Sequence, residues 1–587
     1  GGPGGPPGGA ALAGLAAEGS AAFRQKIAKV FPLVHPFTTD RHREVAGAAV
    51  ANLLGGLGDF RGRLLVRDAD GDLERSSDEV LFSTVPSRSF FPRGFLWDEG
   101  FHGLLVVRWQ PRVFLDIMDH WLGLQRESGW IPREVPLGAE QEARVPFSFL
   151  PQEPSVANPP SLLLPLAWLT KTVLIGGEPQ EVVEQLAQSA RLSSVSELRQ
   201  LVLAFAGRAL PRLAAWFRFL LRTQKSERPG CFRWAGRTAA HCLASGLDDY
   251  PRGLLVNSDE CHLDLHSWVT FFAHMLDGLC RQVAGSGHLP PELEKSVCVA
   301  PNWSRRAREL NASLFEIFAP KKVHPGSELL ADYISKQPVT QKGEVLVTPP
   351  WRSDGRCGPE FPMLVGGRRS AGECDPYGGG PCCSPSGWCG GSPEFCECPG
   401  CRRALKLEDR KTGQWSTENH SPHVGYVSLF PLLLGLLPAT NPRLAPLLEA
   451  LDPERKAGLS TLHGIPSLST KDPLFGQGEN YWRGKLWANI NYLAISALER
   501  VATTSVDSNN SQRARRMHPV IRERFVRSVV EAYHKQGYLF ENFDPVTGEG
   551  RGAAPFTGWT TSVVLLMAGQ GLGPQLLGHS AGGSSEL

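Results

Sequence analysis

Charge of one sign is what this chain most plainly lacks: 61 Lys and Arg stand against 59 Asp and Glu, leaving +2 over 587 residues. That balance excludes nucleic acid or an anionic membrane surface as the principal partner, since either calls for a concentrated basic face. Long apolar runs are missing too. No stretch reaches the ~18 residues of a membrane span, and AALAGLAA near the start is too short. Strand-like alternation is almost absent. So are the fingerprints of several chemistries: no dinucleotide-binding glycine motif, no phosphate-cradling loop, no activated serine or cysteine motif. His262 and His266 stand at i, i+4, but without an HExxH core or a third ligand they make no zinc site. No metal and no cofactor is expected. The opening GGPGGPPGG has no methionine and reads as the start of a fragment, with any signal or membrane anchor upstream.

What is present is helical. With 42% hydrophobic and 20% charged residues, the chain has material for a substantial core. Residues 1–22 are Gly/Pro/Ala-rich and read as a disordered tail, as do residues 576–587. Between them, over 23–575, segments such as VFLDIMDHWLGLQ, WVTFFAHMLDGLC, YVSLFPLLLGLL and LWANINYLAISALERVA carry helical periodicity. Eight to twelve helices joined by motif-bearing loops predict an all-α toroid with a cleft at one end.

Cysteine is clustered. Of 13, eight fall at Cys357, Cys374, Cys382, Cys383, Cys389, Cys396, Cys398 and Cys401, in a Gly/Pro-rich stretch without helical period. They predict a small disulfide-rich insertion over residues 352–405, of unspecified connectivity. The other five read as buried thiols or a single bridge. Together with Asn-x-Ser sequons at Asn302, Asn311, Asn419 and Asn509, the cluster points to a secretory compartment.

Chemistry concentrates in four stretches. Ser245–Trp268, SGLDDYPRGLLVNSDECHLDLHSW, holds Asp248, Asp249, Asp259, Glu260 and Asp264 around Arg252. Pro251 and Gly253 keep its first half irregular, where side chains can be aimed into a cleft. Its second half reads as a helix capped at Asn257–Asp259, with Glu260, Asp264 and Trp268 on one face, a stripe that does not suit a core. Ser83–His102 surrounds a Pro-Gly turn with Arg88, Arg93, Trp97, Asp98, Glu99, Phe101 and His102. Asn480–Tyr492 packs Tyr481, Trp482, Arg483 and Trp487 around a glycine, and Gly537–Trp559 sets Glu541 between Phe540 and Phe543. Two carboxyls from distant segments are what glycoside hydrolysis needs: one protonates the leaving oxygen and the other activates water on the opposite face.

The motifs SRSFFPRGFLWDEGFH, ANPPSLLLP, SGLDDYPR, GYVSLFPLLL, YWRGKLWANINYLA and FENFDPVTGEG closely resemble the catalytic domain of the processing α-glucosidases I, the mannosyl-oligosaccharide glucosidases of glycoside hydrolase family 63. The resemblance runs in order from about Phe23 to Gln570, the cysteine insert excepted. It implies an (α/α)6 toroid of the six-hairpin glycosidase type, inversion of configuration and no metal. The implied substrate is the terminal α-1,2-linked glucose of the triglucosylated N-glycan on nascent glycoproteins in the endoplasmic reticulum lumen, with any membrane anchor in a missing N-terminal part. By likeness, Asp248 is the general acid, with Asp249 its rival, and Glu541 the base. Arg93, Trp97, Asp98, Glu99 and Phe101 would line the glucose pocket. Arg252, Tyr481, Trp482, Arg483 and Trp559 would complete the cleft, and Glu260 and Asp264 match acids of a family signature. In that signature Cys261, His266 and Ser267 replace two arginines and a cysteine. The insert resembles a hevein-type chitin-binding module, which implies Ser384, Trp388 and Phe395 facing a chitin-like glycan. Two alternatives stand beside this reading: a trehalase-like or short-α-glucoside hydrolase on the same fold, and a non-catalytic glycan-binding protein.

Overall fold

The computed structural model describes residues 9–573 except 69, 321–327, 336, 340–345, 347–350, 353, 366–367, 377–378, 407–413, 417–419, 439, 456–457 and 504–507. Its helices are of two kinds. Leu96–Trp109, Leu163–Thr170, Tyr426–Leu433 and Val563–Ala568 are buried along nearly their whole length, as all-round apolar segments like LLPLAWLT must be. Leu263–Val283 and Ala488–Thr503 bury most of their residues as well. Helices with a single apolar stripe pack against these: Asp40–Gly55, Pro111–Gly123, Val195–Thr223, Trp303–Phe318 and Asn509–Gln536. Partners are often neighbours in sequence, as with Leu96–Trp109 and Pro111–Gly123, or Ala488–Thr503 and Asn509–Gln536. Local chemistry fixes the boundaries. Pro111 occupies a first turn, where its missing N–H costs nothing. Ser194 accepts the Glu197 N–H at 3.2 Å, and Ser508 forms a capping box with Ser511.

Several expectations change. The tail expected over 1–22 is helical from Gly9, in a helix that runs to Val30. Residues 1–8 and the 576–587 tail lie outside the described residues, as does the Asn419 sequon. The helix expected from Asn257–Asp259 starts later, at Leu263 with His262 as N-cap, so Glu260 precedes it. The single bridge among the scattered cysteines is two, Cys231–Cys261 and Cys280–Cys298, with Cys242 a buried thiol.

The insertion is stapled by the expected framework. Cys357 pairs with Cys383, Cys374 with Cys389, Cys382 with Cys396, and Cys398 with Cys401. The first three bridges interleave, and a hairpin of Gly358–Val365 and Arg368–Gly372 stands beside them. Elsewhere strands are short ribbons, and two of them build the site. Gly94–Phe95 pairs with Glu134–Val135, and Asn542–Phe543 pairs with Gly550–Arg551.

Candidate active site

Three segments distant in sequence meet at one place, joined by backbone. The loop carrying Asp248 and Asp249 leaves a short helical turn, Leu243–Ser245, through Gly246 at φ +73°. A side chain there would be strained and would strike the Trp97 indole, so only glycine lets this loop lie against Trp97. Asp249 then reaches the second segment. Its carboxylate accepts the backbone N–H of Tyr481 at 3.1 Å and that of Trp482, while Arg483 Nε donates to its carbonyl at 2.8 Å. The second segment binds the third, because Leu486 and Phe543 exchange both backbone hydrogen bonds at 2.9 Å.

The third segment is the hairpin that holds Glu541. Tyr481 donates its hydroxyl to Glu541 Oε1, and Ala553 N–H donates to Oε2 at 3.0 Å. Trp559 Nε1 donates to the Glu541 carbonyl at 3.0 Å. Gly552, at φ +73°, is required here: a Cβ would overlap Glu541 Oε2. Stacked behind Tyr481 are Trp482 and Trp487, centroids 3.8 Å apart, with Trp559 edge-on to Trp487 at 5.6 Å.

The acids differ in their electrostatic surroundings. Asp248 is partly exposed; its backbone carbonyl accepts the Cys242 N–H at 2.7 Å, and its carboxyl accepts no hydrogen bond from a described residue. Burial pushes its carboxyl up to about 7, with Asp249 and Glu134 adding to the rise and Arg133 and His241 opposing it. Asp98 is buried and held well above the usual carboxylate range, first by burial, then by Glu541, Glu134 and Glu99. Glu541 is also raised by burial, against the opposing hydrogen bonds from Tyr481 and Ala553. Burial raises the Tyr481 phenol, and the charges of Glu541, Asp248 and Asp98 raise it further. The charges of three carboxyls from three segments thus act on one hydroxyl, which donates to Glu541.

Other expected site residues stand behind this surface. Glu99 is fully buried and accepts hydrogen bonds from Ser83 Oγ at 2.6 Å and Thr84 N at 3.1 Å. Phe101 is buried too, edge-on to Trp97 at 4.9 Å. Arg252, Asp264 and Glu260, expected to line the cleft on a stripe unsuited to a core, form a buried ionic layer under the loop. Arg252 pairs with Asp264 and with Asp332, both at 2.6 Å, while Arg237 lies 3.5 Å and Arg233 3.7 Å from Glu260. Burial alone would raise Glu260, but Arg237, His262 and Arg233 hold it below its usual range. The departures from the family signature are accommodated locally. Cys261 is bridged, His266 Nε2 lies 2.9 Å from Leu310 O, and Ser267 Oγ donates to Leu263 O at 2.7 Å.

Sequence reasoning missed Glu134, which sits beside this surface. It receives Arg93 at 2.8 Å and Arg133 at 2.5 Å, and its charge raises both Asp98 and Asp248. Its two-residue strand, inside IPREVP, carries no motif, and only the ribbon with Gly94–Phe95 brings it to Arg93. On the insertion, Ser384 Oγ lies 2.9 Å from Ser386 Oγ and donates to Trp388 O at 3.1 Å. Phe395 packs on Gly390, and the Arg356 guanidinium covers the Trp388 ring at 3.3 Å.

The model for the glycosyl hydrolase family 63 C-terminal domain matches residues 9–296 and 397–569. The chain is 30% identical over 588 residues to a probable mannosyl-oligosaccharide glucosidase of Schizosaccharomyces pombe, a match covering 93% of this chain and 61% of that protein. It is 30% identical over 544 residues to mannosyl-oligosaccharide glucosidase GCS1 of Arabidopsis thaliana, covering 89% of this chain and 54% of that protein. The chain therefore spans little more than half the length of these curated relatives. A solved structure of a GH63 mannosylglycerate hydrolase from Thermus thermophilus, with Tris and D-glycerate, aligns over 89% of this chain and 99% of that chain, at 14% identity and a TM-score of 0.48.

Proposed function

The chain belongs to glycosyl hydrolase family 63, and on that premise we propose that it is an inverting exo-α-glucosidase acting on the terminal α-1,2-linked glucose of the triglucosylated oligomannose N-glycan precursor. One observation carries the mechanism: the Tyr481 hydroxyl, which donates to Glu541, is acted on by the charges of two carboxyls in different environments, Asp248, raised to about 7, and Glu541, which receives two donors. Asp248, still protonated near neutrality, gives its proton to the glycosidic oxygen as the C1–O bond breaks. Glu541 takes a proton from the water that attacks C1 from the opposite face, and β-glucose leaves. Asp98, whose protonated form is favoured by burial and by neighbouring acids, stands in the same segment as Trp97 and can line the glucose pocket. Asp249 is unsuited to the acid's task, because its carboxylate is already committed to the Tyr481 and Trp482 N–H groups.

The names of the relatives support the substrate. The buried helices ringed by amphipathic ones support an (α/α)6 toroid over residues 23–575, with the insertion at 352–405. The disulfides support an oxidising compartment, here the endoplasmic reticulum lumen. Among the described residues no helix is long and apolar enough to cross a membrane. Trp388, 44% exposed, supports a separate contact between the insertion and a chitin-like glycan, which loss of chito-oligosaccharide retention in Trp388→Ala tests.

The deciding experiment incubates the protein with the triglucosylated glycan, trehalose and maltose, and follows the released anomer by NMR. β-Glucose from the glycan alone, lost in Asp248→Asn and Glu541→Gln, is the expected outcome. Cleavage of trehalose would make it trehalase-like. Glycan retention without cleavage of any of the three would make it a binding protein.

A further inference from the structure

Three phenylalanines stand in solvent on loops fixed to the catalytic walls: Phe90 (49% exposed), Phe147 (67%) and Phe149 (42%). Exposed aromatic surface of this kind commonly marks a binding groove. The loop of Phe90 is tied to the strap that serves Glu541. Ser87 Oγ donates to Pro555 O at 2.7 Å, Thr557 N donates to Pro86 O at 2.7 Å, and Ala553 of the same strap donates to Glu541. The loop of Phe147 and Phe149 is tied to that of Phe90, because Arg144 donates to Ser89 O at 2.7 Å. From Phe90 an aromatic path runs inward. Phe90 and Phe91 lie 6.4 Å apart, Phe91 and Phe95 6.1 Å, and the Arg93 guanidinium sits 4.5 Å over Phe95. Arg93 in turn pairs with Glu134, whose charge reaches Asp98 and Asp248.

We propose that Phe90, Phe147 and Phe149 form the platform for the leaving-group side of the substrate, gripping the sugars beyond the scissile bond; the inference rests on the glucosidase reading above. An exo-acting pocket encloses one sugar, so the remainder of a branched oligosaccharide must lie across its mouth. The apolar faces of pyranose rings suit exposed phenyl rings, and loops pinned beforehand need less ordering when the glycan binds. The platform selects for length. A disaccharide ends before it, whereas an oligosaccharide crosses it.

The test measures kcat/KM for the triglucosylated glycan and for an α-1,2-linked glucose disaccharide in wild type, Phe90→Ala, Phe90→Trp and the Phe147→Ala/Phe149→Ala double variant. The expected result is a roughly tenfold loss on the glycan in the alanine variants, a change within about twofold on the disaccharide, and retention in Phe90→Trp. Equal losses on both substrates, or none on either, would overturn the platform. So would a wild-type dimer, seen by sedimentation velocity, that Phe90→Ala dissociates without altering selectivity. Thermal melts run alongside, and an alanine variant that fails to fold leaves the decision to Phe90→Trp, whose loss on the glycan would also overturn it. Wild type inert on both substrates would remove the glucosidase reading itself, whereas active wild type with unselective variants would remove only the platform.

Discussion

The carboxylate of Asp249 accepts the backbone N–H of Tyr481 at 3.1 Å across 232 residues of sequence. This bond, with its companion from Trp482, makes the loop of Asp248 and the loop of Tyr481 one rigid wall. It also sets two adjacent aspartates in different environments: Asp249 is tied to two backbone N–H groups, whereas no described residue donates to the Asp248 carboxyl.

Substitution of the two aspartates should therefore give opposite stability effects. Asp248→Asn is expected to lower kcat by about 10²–10⁴ while leaving the fold intact. Asp249→Asn exchanges a doubly accepting carboxylate for an amide and should lower both activity and melting temperature, by roughly 1–3 kcal/mol in stability. Melting curves beside initial rates decide this, and a stable but inactive Asp249→Asn would reverse the assignment.

The pH dependence follows from the same environment. With Asp248 near 7 in the fold and an unfolded aspartate at ~3.9, the native state binds more protons between those values. Stability then falls as pH rises through that window. Asp248→Asn removes this loss, so its stabilisation relative to wild type should be small at pH 4 and grow to roughly 1–3 kcal/mol at pH 8. In kinetics the group must be protonated, so wild-type kcat/KM should decline above about pH 7. Denaturant melts at the two pH values and a pH–rate profile read both effects.

The helical body, the disulfide framework and the segments holding Asp248, Glu541 and Tyr481 were legible because apolar periodicity, cysteine density and motif resemblance are local signals. The depth of each residue was not. Glu260, Asp264 and Arg252 read as cleft residues in sequence, yet they neutralise one another in a buried layer with Arg237 and Asp332, partners supplied by other segments. Glu99 likewise reads as a pocket acid and serves to fasten Ser83 and Thr84 to its helix. Glu134 could be found only through a cross-strand pair. Charge pairing at long range overrides what the local pattern suggests.

Tyr481→Phe isolates the hydroxyl that touches Glu541. Its loss removes a donor that favours the carboxylate, so the Glu541 pKa should rise and the acidic limb of kcat/KM should move to higher pH. A fall in kcat of roughly tenfold or more is expected at neutral pH, with the edge-to-face contact on Trp487 preserved. An unshifted acidic limb would mean that the hydroxyl acts elsewhere.

Gly552→Ala tests the same carboxylate from the other side. The position is left-handed and its missing Cβ faces Glu541 Oε2, so alanine must displace that carboxylate or strain the ribbon with Asn542–Phe543. Strain at such a site costs about 1–3 kcal/mol. Activity should fall further than stability, and a crystal structure of the variant should show Glu541 moved. A similar substitution at Gly230, also left-handed but with open space around it, should affect stability alone.

The Cys231–Cys261 bridge encloses the Asp248 loop, with a sequence separation of 30 residues. A cross-link of that length contributes about 2–4 kcal/mol, chiefly by restricting the unfolded chain. It also fixes both ends of the segment whose buried acids, Glu260 and Asp264, depend on partners outside it. The Cys231→Ser/Cys261→Ser double variant should therefore melt lower and lose kcat, because the free loop no longer holds Asp248 against the Tyr481 wall. Cys242 lies inside the same loop, but burial pushes its thiol up to about 11, which makes it a poor partner for exchange. Thiol labelling should thus detect no reactive cysteine in the native wild type and one more after denaturation without reductant. Labelling of Cys242 in the native double variant, absent from wild type, would report the loosened loop directly; full protection together with unchanged kcat would show that the ionic layer alone holds it.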